Sequence, residues 1–156
     1  MGVSLVSFDE SMWPLLLVKF EGETSDVEFE AYLRRMTDYL NRQEKYVCLY
    51  DSTRMKSSPM NHRQMQVEWL QQHDAQLRKW MIGTGFVITS PLVRLAMNVI
   101  TTLNRPPCPS TNVATLDQAL SWAADRFRDE GQNLASVRIR THYNLVSTPV
   151  GKRVTK

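Results

Sequence analysis

Short apolar runs alternate with helix-start signals along this chain, and the alternation constrains its fold more than any other feature. Apolar runs of strand length lie at residues 13–20, 46–50, 82–89 and 112–114. A helix-length stretch separates each run from the next, which favours parallel strands joined by helical crossovers. The sequence therefore predicts an α/β domain.

The predicted helices begin with recognisable capping chemistry. Residues 25–28 and 115–118 have the capping-box pattern, in which the first and fourth side chains satisfy free N–H groups at the helix start. Ser-Pro pairs at 58–59 and 90–91 place proline first in a helix, where its missing N–H costs nothing. These signals predict four helices, one of which runs from Ser58 to Trp80.

The N-terminal region adds an edge to this sheet. Val3–Phe8 alternates in hydrophobicity and is separated from the run at 13–20 by a short polar break, which predicts an antiparallel hairpin. We expect a mixed, mostly parallel sheet of about five strands with this hairpin and four helices. Gly83 and Gly85 lie within a predicted strand and indicate a close backbone approach or a bulge.

Charge is distributed unevenly along the chain. There are 19 basic and 16 acidic residues, a net charge of +3. Five of the basic residues and none of the acidic ones lie in residues 131–156, which leaves 14 basic against 16 acidic in residues 1–130. This pattern predicts one domain at 1–130 and a basic, flexible tail at 131–156, with a brief strand at Val137–Arg140 as an alternative within the tail. A mildly acidic domain argues against specific nucleic-acid binding.

Composition excludes several other classes. No apolar run approaches the roughly 18 residues of a membrane span, and the N-terminus lacks the basic and apolar regions of a secretory signal. Neither cysteine, Cys48 or Cys108, has metal-binding spacing. We therefore expect a cytoplasmic protein that holds no metal or other cofactor.

The order of elements over residues 3–130 resembles the STAS domain, the fold of the bacterial anti-sigma-factor antagonists of SpoIIAA type. It is also similar to bacterial proteins called SpoIIAA-like or STAS/SEC14-like. In the antagonists an Asp-Ser pair follows the central strand and the serine is a phosphorylation switch; Asp51 and Ser52 match these positions. Thr53 fits the hydroxyl residue that comes next, whereas Arg54 stands where the family has glycine. The resemblance implies a non-catalytic module that binds a protein partner.

The stretch from Asp51 to Ser58 is therefore a candidate regulatory loop. It follows the central strand, where ligands and partners of open α/β sheets commonly bind. A phosphate on an exposed Ser52 would lie near the positive charges of Arg54 and Lys56. The alternative is that Asp51 and Ser52 form only a turn.

The predicted helix over residues 92–103 is apolar around much of its circumference. A surface helix normally has a wide polar face. We therefore expect some of four residues to lie outside the core and to bind a protein partner or a second copy of the chain: Leu95, Met97, Val99 and Leu103. The alternatives are simple burial and one wall of an apolar ligand pocket.

Three functions stay open from the sequence. The first is the non-catalytic interaction or signalling module, which the element order and Asp51-Ser52 favour. The second is a carrier or sensor of a small apolar ligand, which the apolar helix favours. The third is an enzyme, supported only by Asp51, Arg54 and His73. We expect no enzymatic activity, because no catalytic set can be argued from spacing.

Overall fold

The computed structural model describes residues 6–145, in which five strands form one sheet in the order β1-β2-β3-β4-β5. The strands are β1 Val6–Asp9, β2 Leu15–Gly22, β3 Tyr46–Met55, β4 Met81–Val87 and β5 Ser110–Val113. β1 pairs with β2 antiparallel, and the other three pairings are parallel. The predicted mixed sheet with its N-terminal hairpin is confirmed; residues 3–5 of the predicted first strand lie outside the described residues.

Between residues 6 and 145, six helices accompany the sheet rather than the predicted four. They are α1 Asp26–Leu40, α2 Met60–Gln72, α3 Asp74–Trp80, α4 Pro91–Leu103, α5 Leu116–Asp129 and α6 Asn133–His142. Both predicted capping boxes are present, at Ser25 and at Thr115. The helix predicted from Ser58 to Trp80 divides at His73, whose backbone leaves the helical conformation (φ −109°, ψ 16°). The His73 ring takes part in this break, because its Nδ1 lies 2.9 Å from the carbonyl oxygen of Trp69.

Helix α6 corrects the prediction of a flexible tail at 131–156. Residues 133–142 are helical, so the alternative of a brief strand at Val137–Arg140 is also wrong. Ile139 is 1% exposed and packs with the core beneath α5. Arg140 pairs with Asp125 of α5. Ala135 and Tyr143 pack against the same core but are only partly buried. One fully buried aliphatic residue in α6 is too sparse a pattern to predict a helix from the sequence. Residues 146–156 lie outside the described part of the chain.

Side chains of the strands alternate between two packed faces. On β3, Cys48 belongs to a core with residues of α1, α2 and α3, and Tyr50 packs against that core. Val47 and Leu49 point to the opposite face and pack with α5 and α6. The sheet is therefore covered by helices on both faces, α1 to α4 on one and α5 and α6 on the other.

Helix α5 lies directly against β4 because that strand carries two glycines. A Cβ at Gly85 would lie 2.8 Å from Cδ2 of Leu49, and one at Gly83 would lie 3.1 Å from Cη2 of Trp122 on α5. The predicted close approach at these glycines is confirmed.

Strand β3 is longer than its apolar run. Its pairing with β4 ends at Asp51, opposite Val87, but its pairing with β2 continues to Met55, opposite Gly22. The predicted loop at 51–58 is therefore largely strand. The apolar run at 46–50 covers only the part of β3 that pairs with both β2 and β4.

Candidate functional site

A cavity of about 110 Å³ lies between the sheet and helices α1, α2 and α4. Its floor comes from β3 and β4, whose side chains on this face include Tyr50, Ser52, Thr84 and Phe86. The rings of Tyr50 and Phe86 stack with centroids 5.3 Å apart. Neighbouring strands thus supply a flat, mainly apolar floor.

The walls come from two helices. His62, Gln66 and Leu70 of α2 recur at helical spacing on one side. On the other side α4 contributes its inner face, including Met97 and Ile100. Most of the lining is apolar or aromatic, as in sites for small organic molecules.

The polar groups of the walls are held in place by hydrogen bonds. The hydroxyl of Tyr32, on α1, donates to Oε1 of Gln66 at 2.9 Å. Burial raises the pKa of Tyr32 well above its usual range, and it does the same for Tyr50. Both phenols therefore stay neutral and serve as hydrogen-bonding groups.

His62 is a buried residue of the lining. It is 4% exposed, and its ring stacks on Phe29 at 4.5 Å. Its Nε2 donates to Oδ1 of Asp26 at 2.8 Å, and Nδ2 of Asn61 donates to the same oxygen at 2.9 Å. These bonds, that of Asn61 first, lower the pKa of the Asp26 carboxyl, so Asp26 is ionised at neutral pH.

Thr84 and Arg63 are polar residues of the lining whose side chains have no partner among the described residues. Thr84 is 5% exposed, and its hydroxyl makes no hydrogen bond within residues 6–145. Arg63, in the first turn of α2, is half-buried and forms no ion pair with any described residue. Neither residue stands out in the sequence; only the alternation of side chains along β4 could have placed Thr84 on the same face as Phe86.

Ser52 does not lie where the sequence led us to expect. It is 6% exposed, and its hydroxyl donates to the carbonyl of Val87 at 3.0 Å. The expectation of an exposed serine at the open edge of the sheet is wrong, because β3 continues past it. Asp51 is half-buried and accepts from the N–H and hydroxyl of Thr53 at 3.0 and 2.7 Å. Arg54 is exposed, 3.8 Å from a carboxylate oxygen of Glu21.

Helix α4 has apolar groups on two sides. Leu95 and Leu103 are 60% exposed and Val99 is 39% exposed, which confirms that part of this helix lies outside the core. Met97 instead faces inward and lines the cavity. The helix is therefore a cavity wall with an exposed apolar outer stripe.

The residues of the enzyme hypothesis do not meet. His73 packs on Trp69, with ring centroids 4.6 Å apart, whereas Asp51 and Arg54 lie at the end of β3. Between residues 6 and 145 there is no group of three or more His, Cys, Asp or Glu side chains that could hold a metal ion. None of the helices within this range is long and apolar enough to cross a bilayer.

No family model matches the chain, and no curated protein matches it. Among solved structures, the chain is similar to an uncharacterised protein of the DUF3478 family from Shewanella loihica PV-4, which is described as having a SpoIIAA-like fold. The TM-score is 0.57 at 16% identity, over 79% of this chain and 98% of the other. With its antiparallel β1 and four parallel-paired strands between two helical layers, this chain has the SpoIIAA-like fold.

Proposed function

We propose that this protein is a non-catalytic module that binds a small apolar molecule between the sheet and helices α2 and α4, as a carrier or sensor. The observation that carries the proposal is the cavity of about 110 Å³. An unfilled apolar space of this size costs up to about 2–3 kcal/mol, at roughly 24 cal/mol per Å³. Larger apolar side chains in the lining would fill this space and raise the stability of the fold, so the cavity is better explained by a bound molecule than by folding alone.

The cavity also limits the size of the ligand. An apolar cavity of about 150 Å³ accommodates one benzene ring. The occupant is therefore of the scale of one ring or a short alkyl chain. The unpartnered Thr84 hydroxyl offers such a molecule one hydrogen bond.

Titration with 1-hexanol, followed by calorimetry, tests this proposal. We expect saturable binding to the wild-type protein and its loss in Ala96→Leu, because Ala96 is 2% exposed and faces the cavity. Leu95→Ala changes the adjacent, exposed residue of the same helix and should bind as the wild type does. Absence of binding to the wild-type protein, or unchanged binding by Ala96→Leu, would contradict the proposal.

Protein binding is a second candidate function, favoured by the outer stripe of α4. Its members lie at helical spacing and are exposed: Leu92, Leu95, Val99 and Leu103. Regulation through Ser52 gains no support from its buried hydroxyl, so this candidate rests on α4. Self-association is its first test: sedimentation velocity should give a coefficient that rises with concentration for the wild type and stays constant for Leu95→Glu. A constant coefficient for both would remove self-association as a role of this stripe.

A further inference from the structure

We propose that the cavity selects amphiphiles with one negative charge, whose carboxylate is held by Arg63, over neutral or cationic molecules of the same size. This inference rests on the proposed function and specifies its ligand class. It follows from the charge of the lining, from its position along α2 and from the partners of the neighbouring groups.

Among the described residues, Arg63 is the one permanently charged residue of the lining. His62 and Arg63 line the cavity, and no Asp, Glu or Lys does so among the described residues. The Nε2–H of His62 is already engaged by Asp26, which is not part of the lining. Arg63 has no such partner within the described range. A guanidinium is always charged and offers five donors, so an anion is the ligand group that satisfies it.

The positively charged residue and the apolar residues of α2 are separated along the helix. Arg63 belongs to the first turn of α2, and Met55, the last residue of β3, lines the same cavity. Leu70 lines the same cavity seven residues further along α2, about 10 Å away at the rise of an α-helix. A charged end followed by an apolar length matches a carboxylate head with a short hydrocarbon tail.

The start of α2 reinforces this polarity. Pro59 is the N-cap, and within the described residues this helix start has no side-chain cap hydrogen bond. The first N–H groups of the helix carry the partial positive charge of the helix dipole. Arg63 and the helix start therefore favour the same charge on a ligand.

A matched series of six-carbon probes tests the inference by calorimetry at neutral pH: hexanoate, 1-hexanol and hexylammonium. We expect hexanoate to bind about tenfold more tightly than 1-hexanol, the gain of one charge-assisted contact, and hexylammonium to bind more weakly than both. Arg63→Gln should reduce the affinity for hexanoate to that for 1-hexanol and leave 1-hexanol unchanged. Arg94→Gln removes an exposed guanidinium outside the lining and should change neither affinity.

The outcomes separate the two proposals. If 1-hexanol binds as tightly as hexanoate, or if Arg63→Gln keeps the preference for hexanoate, the charge selection is wrong while the apolar site stands. If neither probe binds, both proposals fail. Should Arg63→Gln fail to fold, the ¹⁵N shift of Arg63 Nε in the wild-type protein decides: hexanoate must move it and 1-hexanol must not.

Discussion

Two threonines of the interior show how the surroundings of a hydroxyl decide its contribution. The hydroxyl of Thr37 donates to the carbonyl of Leu33 at 3.1 Å and accepts from Nε1 of Trp69 at 2.9 Å. The hydroxyl of Thr84, a residue 5% exposed, has no hydrogen-bond partner within residues 6–145. One residue joins two helices, and the other presents its oxygen to the cavity.

This contrast gives a prediction for the same substitution at both sites. Thr84→Val should leave the free energy of unfolding unchanged or raise it slightly, because no protein hydrogen bond is lost. Thr37→Val should lower it by about 1–3 kcal/mol, because it leaves the indole N–H of Trp69 without an acceptor. Urea denaturation of both variants measures the difference, and equal losses would show that the Thr84 hydroxyl has a protein partner.

Ser52 and Thr53 form a second pair at this scale. Ser52→Asp would place a charge where the side chain is buried and bonded to Val87, so we expect a loss above about 2 kcal/mol. Thr53→Asp adds the same charge to the exposed neighbour; it loses the hydroxyl's bond to Asp51 and adds a repulsion, both at an exposed site, so we expect a loss of at most about 1 kcal/mol. Chemical denaturation measures the free energy of unfolding of both variants. If Ser52→Asp were as stable as the wild type, the side chain of residue 52 would be exposed, as the sequence predicted.

Elements with local capping signals were predictable, and elements that depend on distant neighbours were not. The capping boxes at Ser25 and Thr115 start helices by contacts within four residues, so the sequence alone locates α1 and α5. Beyond Tyr50, β3 is polar and exists because β2 runs alongside it as far as Gly22. The cavity was equally hidden, since Arg63 and Thr84 line one space only when α2 is folded over the sheet.

The strength of α6 as an element can be tested at one buried and one exposed position. Ile139→Ala should cost about 2–4 kcal/mol, because the side chain is 1% exposed against the α5 core. Val137→Ala, at a residue 58% exposed on the same helix, should stay within about 0.5 kcal/mol. Thermal or urea unfolding of the pair is the measurement. If both variants lost less than about 0.5 kcal/mol of unfolding free energy, α6 would contribute little to stability and the prediction would be wrong.

At the scale of the whole molecule, the two faces of the sheet are packed differently. The face beneath α5 is close-packed, with Ala123 and Phe127 fully buried and two glycines in the strand below. The face beneath α4 encloses the cavity. The sheet is therefore close-packed on the α5 face and lined by a cavity on the α4 face.

One substitution made on each face should reveal this difference. Ala124→Leu adds three carbons to a fully buried position of α5 and should cost about 1–3 kcal/mol through overpacking. Ala96→Leu adds the same atoms beside the cavity and should be neutral or stabilising by up to about 2 kcal/mol. Urea denaturation compares them, and equal destabilisation would mean that the space beneath α4 cannot accept a side chain.

The cavity also has a consequence for the volume of the protein in solution. Unfolding eliminates internal voids, so a chain that encloses more empty space loses more volume and unfolds at lower hydrostatic pressure. A bound hydrocarbon or the side chain of Ala96→Leu fills the cavity and so removes the cavity's contribution to the volume change of unfolding. The pressure at the midpoint of unfolding can be followed through the fluorescence of the four tryptophans. A shift of this midpoint to higher pressure would show that the cavity is occupied, even when the ligand is not identified.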